Sequence, residues 1–429
     1  MHSPTKSFGD RSSIAIVGGG CAGVAAAVHL SDREFDITLF EQNDRIGGKC
    51  QSFVLGEHRL NVGATLLTRA ATKTREMMKR AGLDMVKIEK DTLIYTRSKG
   101  LVPVSEHIAS RPLADAWPLL SYRRALGEFR HALRRRDVGE FAEPFHDWCA
   151  SRGLARLEEF FYFVIYPFGY PPLATMPTWY VMRYINEHAV SLFFLKGIYD
   201  LVGRRIPTYN VDGGYEAIWR SILSKEPAIR TRLGVTVTRI ERSSDAVRIE
   251  TTDGGFRFDE VALAVSPDRI LQVLDTTAAE KALLSAIAYS PYASIVCRGS
   301  GAPADQAIFL EDRRVPLVIS DTIADGEDPA LTFYVQGDFT RGEIPALLHA
   351  AKPPDWQLGE VLHVSSWTNY FPHFPSEALR SNPFQALERL QHKNRTTYFG
   401  GWCDFETVEA TLDHAQATVE RYFGPVEGA

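Results

Sequence analysis

The chain has 429 residues, 45% of them hydrophobic and 24% charged, a balance typical of folded domains that excludes a disordered, collagen-like or small disulfide-stapled protein. Lys plus Arg number 48 against 53 for Asp plus Glu, so there is no general basic footprint for nucleic acid. Five cysteines (Cys21, Cys50, Cys149, Cys297, Cys403) are odd in number and scattered without a CxxC pair, which argues against a disulfide framework or a zinc ribbon and fits a reducing cytoplasm.

The length suits two or three domains, or one large cofactor domain with a long insertion. Ile14 to Val17 reads as a short buried strand, Gly18-Gly19-Gly20-Cys21-Ala22-Gly23 as a tight turn, Val24 to Leu30 as an alanine-rich helix, and Asp36 to Glu41 as a second strand. The glycines in the apolar run 14–30 argue against a signal core or a membrane span, and no other uncharged stretch is long enough to cross a bilayer. Residues 70–81 read as a helix stopped by Gly82, and Asp91 to Thr96 and Leu101 to Val104 as strands around Ser98-Lys99-Gly100. Long aromatic-rich helical segments fill about 113–202. Alternation then returns at Val235 to Arg242, Ala246 to Thr252 and Phe256 to Val265, which predicts a three-stranded meander. Region 291–370 is mixed, with strand-like runs at Leu331 to Val335 and Val361 to Val364. The chain closes with a strand from Thr396 to Phe399, a Gly400-Gly401 turn and a helix from about Val408 to Tyr422.

Gly18-x-Gly20-x-x-Gly23 fits a dinucleotide fingerprint: the first glycine makes the turn, the second lets backbone approach a pyrophosphate, and the third permits close helix–strand packing, with the helix N-terminus facing the anion. Such a motif alone is weak, but this one follows a strand, opens a helix, and is followed 18 residues after Gly23 by Glu41 at the end of the next strand. A carboxylate there accepts hydrogen bonds from both ribose hydroxyls and repels a 2′-phosphate.

Beyond it lies Asp44-Arg45-Ile46-Gly47-Gly48-Lys49. The run from Ile14 through Lys49 resembles the two-part N-terminal signature of the flavin amine oxidase superfamily, which binds FAD rather than NAD. The resemblance implies that Gly47, Gly48 and Lys49 lie along the FAD pyrophosphate and ribityl chain, as Gly18, Gly20, Ala22 and Gly23 lie along the phosphates. Leu60-Asn61-Val62-Gly63-Ala64-Thr65 resembles the segment whose Gly-Ala lies near the flavin ring, and Val237-Thr238-Arg239-Ile240 the strand whose valine contacts adenine. Tyr398-Phe399-Gly400-Gly401-Trp402 matches the C-terminal motif in part. Trp402 stands where the family has an acid for a ribityl hydroxyl, with Asp404 as the candidate substitute. Val408 and Glu409, at the expected helix start, are candidate backbone donors to a flavin carbonyl. The implied cofactor is non-covalent FAD.

Within the superfamily the chain resembles bacterial polyunsaturated fatty acid isomerases, through Gly47 to Cys50, Pro167-Phe168-Gly169-Tyr170, Tyr180-Val181 with Tyr184, Lys196-Gly197, Asp212-Gly213 and Tyr370-Phe371-Pro372-His373. That branch moves double bonds without net oxidation. Seven aromatics among residues 160–170 make either an ordinary core or a pocket wall for an elongated apolar substrate, with Phe168 and Tyr170 nearest the flavin. Their faces would also stabilise a transient carbocation.

The expected architecture is an α/β fold with a discontinuous Rossmann-like FAD-binding domain of the amine oxidase type (1–95, 206–290, 371–429), interrupted by a helical substrate domain (96–205) and a substrate-domain sheet (291–370). The leading expectation is hydride transfer to and from flavin N5 during double-bond isomerisation of an elongated hydrophobic unsaturated substrate. The alternatives are an FAD-dependent oxidase or desaturase with dioxygen as acceptor, and a non-catalytic lipid carrier of the same fold. No protein side chain is assigned a catalytic role and no metal is expected. A reactive Cys403, an assisting Lys196 and an acid–base His373 were each weighed against inert readings, which the sequence favours at Cys403 and His373 and matches at Lys196. Six arginines in Ser121 to Asp137, interleaved with Tyr122, Leu126, Phe129 and Leu133, form a basic amphipathic helix suited either to solvent or to peripheral contact with an anionic membrane.

Overall fold

A computed structural model describes residues 12–88, 90–104, 112–190, 208–323 and 329–424. Its centre is a five-stranded sheet of β1 (Ser13–Val17), β2 (Asp36–Phe40), β3 (Ile229–Arg232), β4 (Glu260–Leu263) and β5 (Thr396–Tyr398), in the order β5-β4-β1-β2-β3 with every pairing parallel. Helix α1 (Cys21–Ser31) connects β1 to β2, and its small side chains let it sit almost wholly buried. The chain runs outward from β1 to β2 on one side and adds β4 on the other, so the strand order reverses next to β1. In open parallel sheets that reversal leaves a crevice beyond the strand ends.

The predicted meander divides at Asp259. Residues 237–242, 247–251 and 254–258 form the antiparallel three-stranded sheet, while β4 leaves it to join the parallel sheet. The apolar run through 265 hides the break because both halves alternate in and out of a core. A seven-stranded sheet is built from 292–300, 306–310, 317–321, 330–336 and 357–367 together with the hairpin 91–96/100–103, which joins through parallel pairing of Asp91–Tyr95 with Gln306–Leu310. The boundary placed at residues 95 and 96 therefore falls inside a strand of this sheet.

Helix α2 (Thr72–Ala81) ends at Gly82, whose φ of +71° is the left-handed cap expected there. The helical region contains α3 (Pro112–Arg135), α4 (Leu157–Ile165) and α5 (Thr178–Tyr184), and the closing helix α6 (Val408–Phe423) packs through Leu412, Ala415 and Val419 into the same core as α1. Among the described residues no helix is long and apolar enough to cross a membrane.

The meander is fastened to the parallel sheet by one buried cation. Arg242 donates to Glu280 at 2.7 and 2.8 Å and to Asp275 at 2.6 Å, and Tyr398 on β5 donates to Glu280 at 2.7 Å. Burial alone would raise the Glu280 carboxyl, but the hydrogen bonds from Arg242, Thr277 and Tyr398 outweigh it and hold it at about 2. Replacing Arg242 with alanine strands that carboxylate and should cost about 3–5 kcal/mol, measured by chemical denaturation. Because the folded-state value lies below the ordinary one of 4.5, the stabilisation is present above that pH and is lost as pH falls toward about 2. The Arg242→Ala chain should therefore lose less stability than the parent across that interval.

Candidate functional site

The site grows from a place where three backbones touch. Gly18 has φ +107°, and a Cβ there would lie 2.6 Å from the Ala264 carbonyl oxygen. A Cβ on Gly23 would come within 1.9 Å of the Gly18 oxygen. The loop can turn and α1 can reach the sheet only with glycine at both positions. Gly20 caps α1 and bridges Gly47, whose N–H donates to the Gly19 oxygen at 2.9 Å, so the two glycine-rich loops lie side by side. Gly47 and Gly48 both have positive φ.

A cavity of about 1150 Å³ runs from these loops into the protein. Of the residues expected at a cofactor, Gly18, Gly20, Ala22, Glu41, Gly48 and Lys49 line it at the two glycine-rich loops. Gly63, Ala64 and Thr65 line it further in, as do Gly401, Trp402 and Val408. Val237 also reaches the wall, beside Val235 and Arg269. Gly23 and Gly47 do not: Gly23 faces Gly18, and Gly47 backs onto Cys50, Glu216 and Trp219. They shape the cradle without lining it.

Glu41 is 7% exposed and accepts hydrogen bonds from the Gly19 N–H at 2.7 Å and from Asn43 N and Nδ2 at 2.9 and 2.6 Å. Ionised, it retains acceptor capacity beyond these three bonds. The Gly63 loop is held from behind, where Ser294 donates to the Val62 oxygen at 2.6 Å and Tyr334 to the Asn61 oxygen at 3.3 Å.

At the C-terminal motif the structure revises one expectation. Asp404 is taken by an ion pair with Arg183, which removes it as the obvious substitute for the missing acid. Glu409, expected as a backbone donor, lines the cavity beside Val408, while its carboxylate reaches the start of α2 and accepts from Lys73 N, Thr74 N and the Thr74 hydroxyl at 2.9 Å each. It is a helix cap contributed by a distant element. Trp402 is buried in the wall, and its indole Nε1 has no hydrogen-bond partner.

The deep end is aromatic. Tyr170 stacks on Phe405 at 5.7 Å and meets Phe371 edge-on at 4.7 Å. Tyr292 lies 4.8 Å from Tyr370, and its hydroxyl donates to the Pro167 oxygen at 2.8 Å, which fixes the turn bearing Phe168. Gly169, at φ +87°, is obligatory there, since a Cβ would meet the Tyr370 ring at 2.5 Å and the Tyr292 ring at 2.8 Å. Residues 160–170 divide: Phe161 and Ile165 fill the helical core, whereas Val164, Phe168 and Tyr170 line the cavity. Burial holds the hydroxyls of Tyr170, Tyr292 and Tyr370 well above their ordinary value of 10.0, so all remain neutral.

Sequence reasoning missed Glu406. Its carboxylate receives the Lys49 ammonium at 2.5 Å, and the same ammonium donates to the Asn369 oxygen at 3.2 Å and sits 5.0 Å from the centre of the Tyr370 ring. Burial raises the Glu406 carboxyl, while Lys49 and the Phe371 backbone oppose the rise. The two residues are 357 positions apart, so no local pattern announces them. His373 packs on Phe371 at 4.9 Å and hydrogen-bonds its carbonyl, outside the cavity lining. Cys403 is buried, and burial pushes its thiol well up, which makes it unreactive. Lys196 and Gly197 lie outside the described residues.

A family model described as flavin containing amine oxidoreductase matches residues 21–297. The chain belongs to that family. FAD is accordingly its cofactor, and the glycine cradle and the Glu41 carboxylate fit it. Among curated relatives, a 1-hydroxycarotenoid 3,4-desaturase of Flavobacterium sp. (strain P99-3) is 42% identical over 53 residues, which is 12% of this chain and 11% of that protein. A FAD-dependent oxidoreductase of Apiospora sacchari is 24% identical over 195 residues, 42% of this chain and 40% of that one. The chain thus spans well under half the length of these relatives. Among solved structures, the CLA-producing fatty acid isomerase from P. acnes superposes with a TM-score of 0.80 at 21% identity, covering 96% of this chain and 99% of that chain. Cyclohexylamine oxidase from Brevibacterium oxydans IH-35A gives 0.68 at 18% identity, covering 96% and 99%. At these identities the likeness concerns the fold.

Two sets of substitutions check the site. Glu41→Ala should weaken FAD binding by roughly tenfold to a hundredfold, as for a lost hydrogen bond to a charged group, read by titration of apoprotein with FAD. Lys49→Met should cost roughly 2 kcal/mol, less than a fully buried pair because Lys49 is 32% exposed, and Lys49→Met with Glu406→Gln should recover most of it.

Proposed function

We propose that the protein isomerises double bonds in an elongated hydrophobic unsaturated molecule without net oxidation, by removing a hydride from an allylic or bis-allylic carbon and returning it elsewhere on the same system. The observation that carries the reading is the continuity of one cavity from the Glu41 carboxylate to the aromatic rings of Tyr170, Tyr292 and Tyr370. When bound, FAD supplies the hydride acceptor and donor at N5.

The chain's own residues supply the surroundings. Phe168, Tyr170 and Phe405 orient an apolar chain and exclude water from it. The neutral tyrosine rings offer π faces to developing positive charge, a stabilisation that requires no counter-ion. Lys49 and Arg183, two cations of this wall, are each held by an acid, Glu406 and Asp404, so neither is a ready base or a ready anchor for a free carboxylate. The whole-chain likeness to a structure named as a fatty acid isomerase supports the same reading.

Incubating the holoprotein with methylene-interrupted and conjugated polyenes under nitrogen tests it. The expected result is positional or geometric isomers of unchanged mass, formed equally well without oxygen. Hydrogen peroxide appearing in step with a product lighter by one H2 would make the enzyme an oxidase or desaturase, and absence of turnover with tight polyene binding would make it a carrier. Tyr170→Leu should lower kcat roughly tenfold with a smaller change in KM, as for a cation–π contact made during turnover.

A further inference from the structure

The apolar stripe of α3 that the sequence offers for membrane contact is unavailable, because Tyr122, Leu126 and Phe129 are 0%, 2% and 3% exposed in the core of the helical region. The opposite face is unusual for a different reason. Trp117 is 73% exposed and Leu120 is 54% exposed. At 3.6 residues per turn Trp117, Leu120, Arg124, His131 and Arg135 fall within an arc of about 60° on that face. Arg123 and Arg134 flank them in solvent, Arg130 is tied to Glu187, and Glu128 is an acid on the same face. Two large apolar side chains, one an indole, thus stand at one end of a row of exposed guanidinium groups.

We propose that this face of α3 docks the protein on an anionic lipid surface, with Trp117 and Leu120 entering the headgroup boundary and Arg123, Arg124, Arg134 and Arg135 facing lipid phosphates. Charge complementarity selects the occupant: the arginines attract an anionic surface, and indole and leucine side chains gain by leaving water at its edge. The helix is also joined to the cavity wall. Tyr122 on its buried side donates to the Ile185 oxygen at 3.0 Å, and Arg130 pairs with Glu187 at 3.0 Å, within a segment whose Ile185, Asn186, His188 and Ala189 line the cavity. A protein docked through α3 therefore holds a wall of its cavity close to the membrane, where molecules of low water solubility accumulate. The docking does not depend on the isomerase reading, since it is measured with lipid alone.

Co-sedimentation of the FAD-loaded protein with vesicles decides the matter. Binding to phosphatidylcholine mixed with phosphatidylglycerol, weaker or absent on phosphatidylcholine alone and reversed by salt, is the expected result. Arg124→Glu with Arg135→Glu, and separately Trp117→Ala with Leu120→Ala, should each reduce the bound fraction at least about tenfold. Both pairs are surface changes, so an unchanged flavin spectrum verifies that the variants are folded. Equal binding to both vesicle types, binding unaffected by either pair, or no binding would overturn the proposal. Loss of a dimer in the same variants would assign the face to a second copy of the chain instead.

Discussion

Everything in this molecule is arranged around the contact of three backbones, where β1 ends, α1 begins and the strand β4 passes beside them. With Gly18 against Ala264 and Gly23 against the Gly18 oxygen, side chains larger than hydrogen are excluded on steric grounds alone. That contact sets α1 close on the sheet, directs its N-terminus into the crevice beside β1, and lets the Gly47-Gly48 loop lie against Gly20. The remaining structure extends the crevice inward, with the seven-stranded sheet holding the Gly63 loop through Ser294 and Tyr334 and the helical region closing the end with aromatic rings.

What could be read from sequence was what is local. The first βαβ unit, the Gly82 stop, the closing helix and the cofactor motifs each depend on residues within a few turns of one another, and their chemistry follows from glycine conformations and short spacings. What could not be read depends on long-range pairing. The meander was placed one strand too long because burial alternates on both sides of Asp259, and only the switch to parallel pairing with β1 distinguishes them. Glu406 carries no motif, and its meaning comes from Lys49 far away in sequence. Asp404 sits where an acid was wanted, but Arg183 claims its carboxylate.

The deep end of the cavity illustrates how one local run can serve two purposes. Phe161 and Ile165 of α4 fill the helical core while Val164 lines the cavity, and the turn after the helix holds Phe168 and Tyr170 in place only because Gly169 yields to two tyrosine rings from other segments. Neutral rings and internally paired charges make an apolar chamber beside a polar cofactor channel, a division of labour suited to hydride chemistry on a substrate with few polar handles. The exposed row on α3 is the outer counterpart, a basic surface joined to the chamber wall through Tyr122.

The most direct measurement is the visible and fluorescence spectrum of the purified protein before and after acid denaturation, with the released chromophore identified by mass. The account predicts one FAD per chain, freely released on denaturation. A colourless protein that FAD cannot reconstitute, or a flavin that stays attached to the denatured chain, would contradict it.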